Sequence, residues 1–409
     1  GEQKHDHDWW LKYLSMKTMV SVREALQQIR EHVFTISPLD MHLSEAVGLM
    51  IAEDIFSHLD IPAYPQSSMD GYAFAFDQEK NTYQLSGEMA AGSDQRFVLS
   101  AGHATRIFTG AAVPAGADTV LMQEKSKVEN GTLQVHDPSI KQGDNVRPVG
   151  SEIAKGELAM SKGDKLGPAA IGFLAGMGID IVKVYPKPKV AILVTGNELQ
   201  EIGKPLGYGQ VYDSNSWTLK AALEQLNIHD IKVSQSGDDP DTLQQSLVKA
   251  LDSSDLILMT GGVSVGEYDF TLQAFETCGI EKIFHKILQK PGKPILFGRK
   301  ENKIVFGLPG NPGSVLTCFY EYVLPAIGIM MQQNLSLKKQ MVNLAHDHRK
   351  PFGLTHFLKG VYSGTEVSLQ KGQESYKLSS FAKANCLVVL PAEATVFSKG
   401  DEVEIHLLP

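Results

Sequence analysis

Three short segments, Gly261-Gly262-Val263-Ser264-Val265-Gly266-Glu267-Tyr268-Asp269, Lys290-Pro291-Gly292-Lys293-Pro294 and Leu308-Pro309-Gly310-Asn311-Pro312, combine turn-forming residues with groups that handle phosphate or metal. Glycine lets backbone N–H groups approach an anion closely, and proline fixes the turn that aims them. Lys290 and Lys293, with Ser264 and backbone N–H groups, would line one anion-binding pocket. Two carboxylates, Glu198 in Thr195-Gly196-Asn197-Glu198 and Asp269, would line the same pocket. Asp238 or Asp239 offers a third carboxylate, or a helix cap before Thr242.

Each element taken alone has an ordinary alternative. A Gly-Gly after a strand is usually a turn, isolated lysines are usually solvated, and Asp269 could cap a helix. Their joint placement is what points to a site.

The elements that would position these groups start at Lys189, where strands and helices alternate. Val190 to Val194, Ile231 to Val233 and Leu256 to Met259 read as strands; Leu219, Ala222, Leu223 and Leu226 lie on one helical face, and Leu243, Leu247 and Leu251 on another. This rhythm predicts a mainly parallel three-layer α/β/α sheet ending near Met330. Such sheets bind ligands at the carboxyl ends of their strands, which is where Thr195 to Glu198 and Gly261 to Asp269 fall.

Elsewhere, Ser21 and Glu24 form a capping box before Val22, Leu26, Ile29 and Val33, predicting a helix. Short alternating runs such as Thr82 to Leu85 and Thr132 to Val135 predict a β-rich region from Ile61 to Arg147. Gly167 to Gly178 returns to helix, so the β-rich region reads as an insertion into a discontinuous helical one. The expected class is multidomain α/β plus β: a helical domain over 18–59 and 148–187, an inserted β-rich domain over 60–147, the sheet domain over 188–332, and a small C-terminal β-barrel domain over 333–409.

A chain of 409 residues exceeds one ordinary core, and 43% hydrophobic with 21% charged residues is a normal globular composition. With 38 Lys+Arg against 47 Asp+Glu, the formal charge of -9 argues against nonspecific binding to nucleic acid or anionic membranes. The three cysteines, Cys278, Cys318 and Cys386, lack metal-ligand spacing and suggest a reduced, cytoplasmic protein. No apolar run is expected to reach the roughly 18 residues of a membrane span, and no charged-then-apolar leader is visible. Gly1 to Trp10, rich in His, Trp and acidic residues, is expected to lie outside the fold.

The chain resembles the molybdopterin molybdenumtransferases of the MoeA type, which are similar to the E domain of gephyrin. The resemblance runs from about residue 20 to the end. It is carried by Pro62-Ala63-Tyr64-Pro65-Gln66-Ser67-Ser68-Met69-Asp70-Gly71-Tyr72-Ala73, Gly87-Glu88-Met89-Ala90-Ala91-Gly92, and the run from Phe108 to Asp118. Val194 to Leu199, Tyr212-Asp213-Ser214-Asn215 and the three opening segments complete it.

The resemblance implies a homodimer that takes adenylyl-molybdopterin and molybdate, cleaves the adenylate with release of AMP, and leaves molybdenum on the pterin dithiolate with help from Mg2+. Glu198 and Asp269 are the implied metal ligands. Asp70 and Thr109 would complete the site from the second subunit, although locally they read as a turn and a strand end. Thr195, Gly196, Asp213, Ser214, Asn215, Gly261, Gly262, Ser264, Pro309, Gly310, Asn311, Pro312, Ser314 and Ser375 are the implied substrate contacts. A molybdopterin-adenylating protein and recipient molybdoenzymes are possible partners; nucleic acid and membrane are not expected.

Some positions depart from the family pattern. Asn197 replaces a frequent Asp, Glu152 stands where an Asp is usual, and Leu354 with Lys359 occupies the place of a basic pair. Alternative readings are a gephyrin-like scaffold, or a molybdopterin adenylyltransferase sharing the sheet domain.

Overall fold

The computed structural model describes residues 19–93, 96–237, 239–261 and 268–409, without the side chains of Tyr268 and Asp269. Gly1 to Trp10, Asp238, Gly262 and Ser264 therefore lie outside the described residues. The chain divides into two compact units, residues 40–184 and residues 1–39 together with 185–409.

The second-named unit opens with helix α1 (Val22–His32), started as its sequence dictates. Glu24 N–H donates to Ser21 Oγ at 3.2 Å and Ser21 N–H donates back to Glu24 Oε2 at 2.7 Å, so two otherwise orphaned donors are satisfied.

Residues 40–184 are built on a mixed six-stranded sheet. Its strands include β1 (Gly71–Phe74), β2 (Thr82–Met89), β3 (His103–Ile107), β4 (Thr119–Met122), β5 (Ser126–Glu129) and β6 (Thr132–Val135), in the order β4-β1-β3-β2-β6-β5. Alternation gives the sheet two apolar faces, Ala73, Met89, Ile107 and Val120 on one, Phe74, Tyr83, Ala104 and Leu133 on the other. Asp70 immediately precedes β1, so Gly71 begins a strand and not a hairpin turn. Helix α2 (Pro168–Gly176) starts with proline at its first position.

The remaining unit contains the sheet that carries most of the chemistry. Its parallel strands are β7 (Val190–Thr195), β8 (Ile231–Ser236), β9 (Leu256–Thr260) and β12 (Lys303–Leu308); β10 (Glu281–His285) and β11 (Leu296–Lys300) add an antiparallel edge. The order is β8-β7-β9-β12-β11-β10. β7 and β9 are near-continuous apolar runs because both faces are covered. Helices α4 (Pro240–Ser253) and α5 (Tyr268–Thr277) cover one face through Leu243, Leu247 and Phe275, and α3 (Asn215–Gln225) with α6 (Pro312–Cys318) the other.

Helix α6 continues through a π-helical turn, Phe319–Val323, into α7 (Leu324–Met330). This 19-residue run is on average apolar enough to cross a membrane, which a search for uninterrupted apolar runs misses because Glu321 and Thr317 interrupt it. It is 78% buried within the fold and serves as a core helix.

Five C-terminal strands close into a barrel: β13 (Lys338–Leu344), β14 (Thr355–Tyr362), β15 (Glu366–Leu369), β16 (Cys386–Leu390) and β17 (Glu402–Leu407), ordered β14-β15-β13-β17-β16 with β16 pairing back onto β14. Closure removes exposed sheet edges around an interior of Val342, Leu358, Val388 and Ile405. The architecture is the multidomain α/β-plus-β class expected from the sequence. All three cysteines are free and buried.

Candidate functional site

Chain order runs β7, β8, β9, β12, whereas spatial order is β8-β7-β9-β12, so the direction of winding reverses between β7 and β9. Crevices at such reversals are where open α/β sheets accommodate ligands. Thr195 and Thr260 end the two strands, and Thr195 Oγ1 donates to Thr260 O at 3.1 Å across the crevice. Gly261 follows at φ +83°, and a Cβ there would stand 2.6 Å from Thr195 Oγ1, so only glycine fits.

Glu198 is exposed beside Gly196, its two carboxylate oxygens each 2.8 Å from where a Gly196 Cβ would be. Asn215 Nδ2 donates to Gly310 O at 2.8 Å, tying the start of α3 to the turn after β12. Ser214 is the residue before α3, and the Asp213 carboxylate accepts from Ser216 N–H at 3.1 Å and from the Ser216 hydroxyl. Two buried oxygens on this rim, Thr260 Oγ1 and Asn215 Oδ1, have no hydrogen-bond partner among the described residues.

Asp239 is a helix cap. Its carboxylate accepts from Thr242 N–H at 2.9 Å and from Thr242 Oγ1 at 2.6 Å, which holds it below the usual carboxylate range and uses its lone pairs locally. Asp269 lies in the first turn of α5, with its side chain outside the described residues.

Next to this rim is a cleft of about 890 Å³ between the sheet and the barrel. Lys290, Lys293, Pro309, Gly310, Asn311, Ser314 and Ser375 all line it, although they come from three separated segments. Pro312 opens α6 behind the turn. Two sets of bonds hold the walls together. Gln289 and Lys290 pair in parallel with Thr355 and His356 of β14, while Asn311 Nδ2 donates to Ser375 Oγ and Gly313 N–H to Ser375 O, both at 2.8 Å.

The barrel wall adds nitrogen-bearing side chains that motif reading misses: His348, Arg349, Lys350 and His356. Lys350 is buried, and its ammonium donates to the carbonyls of Leu354, Pro351 and Ala392 at 3.0, 3.3 and 3.4 Å. Burial pushes its pKa down. His356 is lowered to about 4, first by burial and then by the charges of Lys350 and Lys290, so it is neutral near pH 7. The only sequence signal for this wall is the basic run His348-Arg349-Lys350, remote from every glycine-rich segment.

Leu354 lines the cleft, but Lys359 does not point a free charge into it. Its three ammonium protons go to the carbonyls of Gly372, Lys377 and Glu374 at 2.7, 3.1 and 3.2 Å. An ammonium has three donors, so this one is saturated by the loop that carries Ser375.

Asp70 and Thr109 meet within residues 40–184. Asp70 Oδ1 accepts from Thr109 N–H at 2.7 Å and Oγ1 at 2.8 Å, and these bonds hold the carboxyl below its usual range. The guanidinium of Arg106 lies over the Phe108 ring at 4.9 Å and donates to Gly71 O at 3.2 Å, bracing the same corner. Glu152 is exposed in this unit.

Comparison with known families matches residues 20–178 to the MoeA N-terminal region (domain I and II), residues 191–328 to the probable molybdopterin binding domain, and residues 342–408 to the MoeA C-terminal region (domain IV). A molybdopterin molybdenumtransferase of Haemophilus influenzae is 36% identical over 95% of this chain and 100% of its own length. Another, from Staphylococcus epidermidis, is 30% identical over 96% of both chains. A molybdopterin biosynthesis MoeA protein from Pyrococcus horikoshii has a similar structure, with a TM-score of 0.80 at 31% identity over 95% of this chain and 99% of that one.

Proposed function

We propose that this chain, which belongs to the MoeA-type molybdopterin molybdenumtransferase family, inserts molybdate into adenylyl-molybdopterin with cleavage of the adenylate and release of AMP. The observation that carries this reading is the adjacency of two differently equipped regions. Strand ends with close-approach glycines and oxygen ligands adjoin a cleft whose lysines, amides and hydroxyls suit a tetrahedral oxyanion.

The strand-end rim has the right donors for magnesium in part. Among the described residues no group of three or more His, Cys, Asp or Glu could by itself hold a metal ion. Mg2+ does not require one, since it takes oxygen ligands and is commonly bound by one or two carboxylates plus substrate phosphate. Glu198 and Asp269 would hold it, and the unpartnered oxygens of Thr260 and Asn215 keep the surroundings oxygen-rich. Bound there, the ion would neutralise the diphosphate.

The protein's own groups do the rest. Backbone amides at Gly261, Gly310 and Asn311 orient the phosphates, while Lys290 and Lys293 hold the incoming molybdate with Ser314 and Ser375 as further donors. Asp70 and Thr109 are proposed to reach the site from the second subunit of a homodimer. A mixture of Asp70→Ala and Glu198→Gln subunits would then regain activity that neither has alone.

The test is to mix the protein with adenylyl-molybdopterin and measure AMP with and without molybdate. Molybdate-dependent AMP release supports the reading. Molybdate-independent release, or adenylylation of molybdopterin from ATP as the main activity, sinks it.

A further inference from the structure

Lys290 and Lys293 sit on an exposed turn, yet what lies beneath that turn is completely buried. Gln289 is 0% exposed and Tyr322 is 0% exposed. The Gln289 side-chain amide donates to Pro291 O at 3.0 Å and to Gly292 O at 3.2 Å, both on the turn, and also contacts Cys318 Sγ at 3.7 Å. Its carbonyl oxygen accepts a hydrogen bond from the Tyr322 hydroxyl. Every hydrogen-bonding atom of this pair that is named here has a partner, which is what a buried polar network requires to be favourable.

The turn is pressed against this pair from above. Gly292 has φ +84°, and a Cβ on it would be 2.5 Å from Cys318 Sγ and 2.9 Å from Gln289 Nε2. Cys318 Sγ also lies 3.7 Å from Gly292 O. Tyr322 reaches Gln289 from the π-helical turn at Phe319–Val323, which begins directly after Cys318. A π turn inserts one residue into the helical ladder and re-aims the side chains on it. Here the helix core and the lysine-bearing turn are joined through Tyr322, Gln289 and two carbonyls.

We propose that Gln289 and Tyr322 are positioning residues that lock the Lys290–Lys293 turn in the conformation that binds the oxyanion, acting as one unit with the π turn as its anchor. Neither touches substrate. Their effect is on molybdate affinity, because a loosened turn must be ordered again at each binding event. This inference rests on the reading of the cleft as the molybdate site.

The experiment measures molybdate affinity by titration calorimetry, together with the molybdate dependence of AMP release, on the full-length wild type, Gln289→Met, Tyr322→Phe and the double variant. Gln289→Met keeps the volume and removes the hydrogen bonds. We expect its molybdate Kd to rise about tenfold, as partial loosening of the turn on losing its two hydrogen bonds to Gln289 would give. Affinity for adenylyl-molybdopterin should stay within about twofold, and AMP release should return to the wild-type rate at saturating molybdate. Because the two side chains act as one unit, the double variant should be no weaker than Gln289→Met alone.

Unchanged molybdate affinity in folded Gln289→Met, or strictly additive losses, would overturn the inference while leaving the site reading intact. If Gln289→Met fails to fold, the milder Tyr322→Phe decides: a raised molybdate Kd with unchanged pterin affinity supports the lock, and no change overturns it. Wild-type protein that binds no molybdate overturns the oxyanion reading and this inference with it.

Discussion

The strand-end rim and the barrel-side cleft solve opposite electrostatic problems. At the rim, Glu198 stands exposed and two buried oxygens lack partners among the described residues, so the region is equipped to receive cations and donors. In the cleft, Lys290 and Lys293 are exposed above buried Lys350 and His356, so the region is equipped to receive an anion. These two buried side chains do not simply add charge. Lys350 is committed to three carbonyls and His356 is neutral near pH 7, so the wall is rigid first and positive second. On the proposed reading, charge for a ligand is carried by exposed side chains, whereas the buried ammonium groups of Lys350 and Lys359 are taken up by backbone carbonyls.

The largest effect should come from breaking the rim. Glu198→Gln keeps the shape and removes the charge, and AMP release should fall at least about a hundredfold while pterin affinity changes little, because the loss is of ion binding and not of the backbone cradle. Single-turnover kinetics with equilibrium pterin binding separate the two.

Breaking the cleft should look different. Lys293→Ala should raise the molybdate concentration needed for half-maximal AMP release about tenfold, the low end for a charge-assisted bond at an exposed site, and excess molybdate should restore the rate. If both variants gave the same defect, the division between the regions would fail.

The architectural charges sharpen the contrast further. Lys359→Met leaves three loop carbonyls without their donor and should cost about 2 kcal/mol of stability, read by urea unfolding of the barrel. It should weaken molybdate binding only through the Ser375 loop.

A separate readout is the pH dependence that His356 gives to stability. The unfolded side chain takes up a proton near pH 6.5 and the folded one near pH 4, so the unfolded state binds more protons in between and stability should fall as pH drops through that window. His356→Gln should flatten this part of the profile. His406 has the opposite sign: burial lowers it, but bonds to Glu321 and Glu404 outweigh that and leave it raised, so its contribution is lost as pH rises through the folded value.

The same contrast decides what could be read from the sequence. The placement of the rim residues was legible because a parallel sheet brings the turns after β7, β9 and β12 to one edge, and close approach at Gly261 demands glycine. The capping box at Ser21 and the apolar runs of β7 and β9 were legible for equally local reasons. Lys350, His356 and Gln289 were not, because nothing local distinguishes a buried, saturated polar side chain from a solvated one; barrel closure and the π turn create their partners. The saturation of Lys359 by loop carbonyls was hidden for the same reason, and Asp239 could only be assigned as a cap once its bonds to Thr242 were seen.

The most direct test of this division is to locate molybdate itself. Anomalous diffraction at the molybdenum edge, from crystals of the protein grown with molybdate, should place the metal in the cleft within hydrogen-bonding reach of Lys290 and Lys293. A molybdenum peak at the Thr195–Gly261 rim, with the cleft unoccupied, would contradict the account.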